Sequence, residues 1–75
     1  MGDHLKQAGT LVIVLPAYNE ARTVGEVVSA IPPIIERMQV CPVVVDDGSQ
    51  DNTSTVALRA GARVIRHITN LGVGA

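Results

Sequence analysis

Aromatic residues are almost missing from this 75-residue chain, which has no Trp, no Phe and a single Tyr, Tyr18. A core without rings must be assembled from Val, Ile, Leu and Ala, which bury less area per side chain. Cysteine is nearly absent as well. Cys41 alone cannot form an internal disulfide, so a reducing, cytoplasmic setting is the expectation. Charge of either sign is scarce: 6 Lys and Arg stand against 7 Asp and Glu, for a net charge of −1. That balance supplies no long-range attraction to nucleic acid or to an anionic membrane. A long hydrophobic run is lacking too, since the stretch from Thr10 to Ala17 falls far short of the roughly 20 residues a membrane helix needs. Met1 to Gly9 carries no apolar signal-peptide core and reads as a loose leader. At this length the remainder, residues 10–75, makes one domain at most.

What the chain does have is two apolar runs that each break into a polar loop. The first to notice is Val43 to Thr53, reading Val-Val-Val-Asp-Asp-Gly-Ser-Gln-Asp-Asn-Thr. A Val-rich run without alternation predicts a strand covered on both faces of a sheet. Paired acids at its carboxyl end occupy the place where open α/β sheets bind ligands. Side chains alternate along a strand, so Asp46 and Asp47 face opposite ways. One of them can meet a ligand while the other braces the loop. Gly48 permits a sharp turn, and Ser49 or Asp51 can cap the following helix. The second run, Leu11 to Glu20, ends in Pro16-Ala17-Tyr18-Asn19-Glu20. A tyrosine at the mouth of a sheet can stack on a flat ring such as a nucleobase. It can equally lie half buried against the loop with its hydroxyl in water.

The pattern predicts alternating elements. Strand one spans about Thr10 to Leu15. Helix one starts near Asn19 or Glu20 with Asn19 as N-cap, carries Val24, Val27, Val28 and Ile31 as its apolar stripe, and ends at Pro32-Pro33. Residues from Pro33 to Met38 restart as a short helical turn with Ile34 and Ile35 inward. Strand two covers Pro42 to Asp46. Helix two covers Asn52 to Ala60, buries Thr53, Val56, Ala57 and Ala60, and stops at Gly61. Strand three covers Arg63 to His67 and forms a sheet edge that exposes Val64 and Ile65. A β-α-β-α-β order implies a parallel sheet with right-handed crossovers.

Pro16-Ala17-Tyr18-Asn19-Glu20, Val45-Asp46-Asp47-Gly48-Ser49 with Asp51 and Thr53, Gly61-Ala62, and Asn70-Leu71-Gly72-Val73-Gly74 occur in that order. Together they resemble the start of the family-2 glycosyltransferases, the enzymes of GT-A fold, and especially the dolichol-phosphate-mannose-synthase-like branch. The resemblance runs from about Thr10 to Ala75. It implies a truncated α/β fold, the nucleotide-binding half of a Rossmann-like GT-A domain. It also implies a nucleotide-sugar donor, UDP- or GDP-linked, and an acceptor of the polyprenyl-phosphate kind for the parent enzyme. Carried over by residue, Pro16, Tyr18 and Glu20 line the base pocket. Asp47 accepts a hydrogen bond from a base N–H, Asp46 contributes less directly, and Gly72 lies close to the nucleotide. Mg²⁺ or Mn²⁺ belongs to the full-length parent, whose metal-binding acids and catalytic base come later in the family's sequences. This chain alone is expected to bind no metal and to be inactive.

Other patterns are weaker. Asp47 to Thr53 begins like a calcium loop, but Asn52 stands where that loop needs Gly and Leu58 where it needs Glu. Gly72-Val73-Gly74 lacks the third glycine of a dinucleotide fingerprint. His4 and His67 have no second ligand at metal spacing and read as surface residues. Cys41 reads as a small apolar filler rather than a nucleophile. A receiver domain also places paired acids after a strand, but after its first one. The reading that competes in class is a stand-alone α/β module that binds a nucleotide or a partner and catalyses nothing.

Overall fold

The computed structural model describes residues 9–67. The elements are β1 (Gly9–Ala17), α1 (Val24–Ser29), β2 (Ile34–Ile35), β3 (Met38–Asp46), α2 (Thr53–Arg59) and β4 (Arg63–Arg66). β3 is the hub of the 4-stranded sheet. β1 pairs with it in parallel along its whole length, from Gly9 opposite Met38 to Ala17 opposite Asp46. β4 pairs in parallel with its far end, and β2 pairs antiparallel with its start. The two parallel crossovers, through α1 and α2, step in the same direction across the sheet. The handedness rule then lays both helices on one face.

That face carries the core. Ala17, Val24, Val28, Val44, Ala57 and Ala62 form one buried cluster, with Leu15, Val56, Ala60 and Val64 packed on it. Gly25 lets α1 approach α2 closely, since a Cβ there would lie 3.1 Å from Val56 Cγ1. The opposite face departs from the expectation of a sheet covered on both sides. Val12, Val14 and Ile65 lie there 53–59% exposed. A β-branched run marks a strand whether one face or both are covered, so the run alone could not separate the two cases.

Boundaries shift for identifiable reasons. β1 runs on through Pro16 to Ala17 because Ala17 O meets Asp47 N–H across the β3 ladder, so Pro16, one residue earlier, turns its nitrogen away from β3 and its missing N–H breaks no bond of that ladder. β3 begins at Met38 rather than Pro42. Val40 N–H points to the β2 side, toward Pro33 O at 2.9 Å, and two residues on Pro42 faces the same way. There it meets the gap between the residues paired with β2 and those paired with β4. The proline thus occupies a position where β3 has no strand to donate to.

Several local expectations fail. α1 starts at Val24 with Thr23 as its N-cap, not at Asn19. Asn19 is left-handed at φ 52°, and Glu20 O instead receives Thr23 N–H and Val24 N–H in a tight turn. Val27, expected on the apolar stripe, is 48% exposed. The segment after Pro33 is a hairpin, not a helical turn. Ile35 faces Met38 across two residues, Glu36 at φ 51° and Arg37 at φ 69°. Two positive φ values in a two-residue loop match the twist of the flanking strands. Ile34 is consequently exposed rather than inward. At the other end, Gly9, assigned to the leader, already belongs to β1. Residues 1–8 of that leader lie outside the described residues. Ile65 is exposed as expected of an edge, whereas Val64 packs on the core. No helix among the described residues is long and apolar enough to cross a membrane.

Candidate functional site

The loops that leave β1 and β3 lie side by side at the carboxyl end of the parallel sheet, and polar groups lock them together. Asn19 N–H donates to Ser49 Oγ at 2.7 Å, and Gln50 N–H returns a bond to Asn19 Oδ1 at 2.8 Å. Glu20 N–H donates to Thr53 Oγ1 at 2.8 Å, and Ala21 N–H to Asp51 Oδ2 at 3.2 Å. Asp51 Oδ1 also accepts Thr53 N–H at 3.0 Å and the Thr53 hydroxyl. It therefore serves the first turn of α2, although the N-cap residue itself is Asn52. Chiefly through the hydrogen bond from the Thr53 side chain, the Asp51 carboxyl is held below its usual range.

Asp46 and Asp47 divide as strand alternation requires. Asp46 is fully buried and accepts Ser49 N–H at 2.8 Å, the Ser54 hydroxyl and Arg66 Nη1 at 3.0 Å. Arg66 Nη2 also donates to Ser49 O at 2.6 Å, so one guanidinium ties the carboxylate to the turn it supports. Burial by itself pushes the Asp46 carboxyl up. The bonds from Ser49 and Ser54 and the charge of Arg66 more than offset it, leaving the carboxyl below its ordinary value. Asp46, to which the family resemblance gives a share in nucleotide contact, is here engaged within the loop. Both of its oxygens accept hydrogen bonds that hold the loop.

Asp47 points outward. Its backbone N–H is fixed to Ala17 O at 2.9 Å, while its side chain is 58% exposed. With Pro16, Ala17, Tyr18 and Glu20 it lines an open cleft of about 260 Å³. That is somewhat less than the roughly 300–1,000 Å³ of a pocket that engulfs a drug-sized molecule. A flat base with part of its sugar is the scale of ligand it suits. Tyr18 stands at the rim, 54% exposed. Of the residues singled out from the sequence, Pro16, Tyr18, Glu20 and Asp47 meet at this cleft, and Asp46 lies beneath it. Gly72, like the loop from Asn70 to Gly74, falls outside the described residues.

Two residues of this region escaped sequence reasoning. Arg66 is the brace of Asp46. His67, read as an isolated surface residue, has its ring Nδ1 3.1 Å from Asp47 Oδ1, and its backbone N–H donates to Asp46 O at 2.7 Å. The signal was register. A parallel β3–β4 ladder that sets Asp46 opposite Arg66 brings the next residues, Asp47 and His67, alongside each other.

The donor set does not suit a divalent cation. Asp46 has no oxygen to spare, Asp47 faces away from it, and among the described residues no group of three or more His, Cys, Asp or Glu could hold a metal.

Comparison with known proteins agrees with this architecture. A glucosyl-3-phosphoglycerate synthase of Mycolicibacterium smegmatis is 43% identical over 60 residues, covering 80% of this chain and 20% of that one. An uncharacterized protein of Methanocaldococcus jannaschii is 41% identical over 64 residues, covering 85% and 25%. The Mycobacterium tuberculosis glucosyl-3-phosphoglycerate synthase, solved with Mn²⁺, UDP-glucose and glycerol 3-phosphate, superposes with a TM-score of 0.65. It is 38% identical, over 76% of this chain and 21% of that one. The chain thus spans about a fifth of the length of these synthases. The fold is the Rossmann-like α/β arrangement of GT-A enzymes. The family model for glycosyl transferase family 2 matches residues 12–75, and the chain belongs to that family.

Proposed function

We propose that residues 10–75 form the donor-nucleotide part of a glycosyltransferase and that the cleft beside Tyr18 receives the nucleobase. The observation that carries this reading is the convergence of Tyr18, Glu20 and Asp47 at the carboxyl ends of two parallel strands. In this reading the Asp47 carboxylate accepts a ring N–H, which uracil and guanine both present. Tyr18 offers its ring face to the base, and Glu20 reaches the ribose hydroxyls. A uridine diphosphate sugar is favoured over a guanosine one, because the solved relative with a bound sugar donor holds UDP-glucose. The relatives' names favour a phosphorylated glycerate acceptor for the parent enzyme over a polyprenyl phosphate, and hence a branch other than the dolichol-phosphate-mannose synthases. A divalent cation of the parent would be held by residues other than those described.

The test is an NMR titration of the chain with UDP and GDP, with and without Mn²⁺, beside a donor-hydrolysis assay. The base contacts without a metal to neutralise the diphosphate should give binding at best around millimolar, about −4 kcal/mol. Added Mn²⁺ should change it little. Asp47→Ala should remove about 1.5–3 kcal/mol, the range of a hydrogen bond to a charged group, and so weaken binding about 10- to 150-fold. Metal-dependent micromolar binding, or hydrolysis above the buffer rate, would refute the assignment.

A further inference from the structure

His67 directly follows β4, beside the cleft and outside the set of side chains that line it. Its ring is 66% exposed, and nothing in the core calls for an imidazole there. Yet its position is doubly determined. The backbone N–H is anchored to Asp46 O at 2.7 Å, and Nδ1 lies 3.1 Å from Asp47 Oδ1. Asp47 Oδ2 has no protein partner among the described residues. An exposed aspartate rotates freely between rotamers, and an acceptor that must meet one ring N–H loses affinity for every rotamer that points elsewhere. An imidazole N–H that occupies one oxygen restricts that rotation and leaves the second oxygen as the acceptor.

We propose that His67 is the positioning residue of the base site, engaging Asp47 Oδ1 so that Oδ2 is presented to the ring N–H of a pyrimidine nucleotide. This rests on the reading of the cleft as a nucleobase site and extends it to a residue that does not touch the ligand. The arrangement needs Nδ1 to carry a proton, which the Nδ1–H tautomer and the imidazolium both satisfy. A leucine at 67 cannot donate. An asparagine places its amide nitrogen where Nδ1 stood.

The experiment follows amide shifts of the 75-residue chain during titration with uridine and with 3-methyluridine, which has no ring N–H. Wild type, His67→Leu and His67→Asn are compared. Uridine should perturb Tyr18 in the wild type. His67→Leu should weaken uridine about 3- to 10-fold, the range of one net hydrogen bond. His67→Asn should restore affinity to within about twofold. For 3-methyluridine the wild type and His67→Leu should bind alike, because the contact being oriented is gone. If uridine leaves Tyr18 unperturbed in the wild type, the cleft is no base site and both readings fall. If uridine binds at Tyr18 but His67→Leu binds it equally well, only the role of His67 is overturned. Equal weakening of uridine and 3-methyluridine by His67→Leu would also overturn it, since that marks a general disturbance of the loop.

Discussion

Replacing Asp46 by alanine should unfold much of what the chain builds, although the residue is shut away from solvent. The carboxylate is fully buried and receives Ser49 N–H, the Ser54 hydroxyl and Arg66 Nη1. Alanine leaves Ser49 N–H without its acceptor in a buried turn, a penalty of about 1–3 kcal/mol. It also removes a charge-assisted bond from Arg66. That guanidinium is 44% exposed and can turn to water, so its share is discounted to about 0–1 kcal/mol. With the Ser54 bond added, about 3 kcal/mol is the expected loss. A native chain of this length has only about 4–11 kcal/mol in total. Asp46→Asn keeps one acceptor oxygen and should lose about 1–2 kcal/mol. Urea titration followed by far-ultraviolet circular dichroism reads the difference. At a slope of about 1 kcal/mol per molar, the midpoint of Asp46→Ala should fall by about 3 M, or the folded baseline should vanish. Asp47→Ala, whose side chain is 58% exposed, should stay within about 0.5 kcal/mol of wild type. An Asp46→Ala midpoint within about 0.5 M of wild type would show that the buried network contributes nothing net, and the reasoning would fail.

The same network sets the acid limit of the fold. The Asp46 and Asp51 carboxyls are lowered on folding, so their contribution is fully present above the unfolded value near 3.9 and is lost as pH falls through the folded values. Urea midpoints should therefore hold down to about pH 4, drop below it, and drop less in Asp46→Asn; equal slopes in the two proteins would assign the acid sensitivity elsewhere. At the hairpin, Glu36 holds φ 51°, where a side chain is disfavoured by roughly 1–2 kcal/mol. Glu36→Gly should raise stability by about 0.5–1 kcal/mol after the entropy of the freer unfolded chain is subtracted, and a lowered thermal midpoint would count against the assigned turn.

The alternation of side chains along a strand was enough to separate Asp46 from Asp47, and apolar periodicity placed Val24 and Val28 of α1 and Thr53 and Ala57 of α2 on buried faces. Those are local rules, and the sequence carries them directly. The misplaced start of α1 has a tertiary cause. Asn19 has a good capping side chain, but its amide and carbonyl oxygen are committed to Ser49 and Gln50, about 30 residues away. The hairpin was illegible because Glu36-Arg37 is not a pair that favours positive φ, so ladder geometry overrode propensity there. Arg66 and His67 acquire meaning only when the β3–β4 register is known. At the cleft, motif order pointed to Pro16, Tyr18, Glu20 and Asp47, while the residues that steady them came from pairings no short motif records.

The hub position of β3 also bears on how the chain reaches this state. Neither parallel neighbour of β3 is local: bringing the loop after β1 to the loop after β3 closes about 30 residues, and bringing β4 to β3 closes about 20. The closure entropies of two such loops differ by only about 0.4 kcal/mol, too little to impose an order of docking. What differs is the reward. β1 gains nine paired positions along β3, and β4 gains four. The β2–β3 hairpin is the one pairing here that needs no long closure, and it fixes Met38 and Gln39, where β1 begins its ladder. During synthesis, β1 must wait unpaired until the residues after Met38 have emerged. The hairpin is then the natural seed on which it aligns, and a mutation that loosens the Glu36–Arg37 turn should slow folding by nearly its whole effect on equilibrium stability, leaving the unfolding rate almost unchanged.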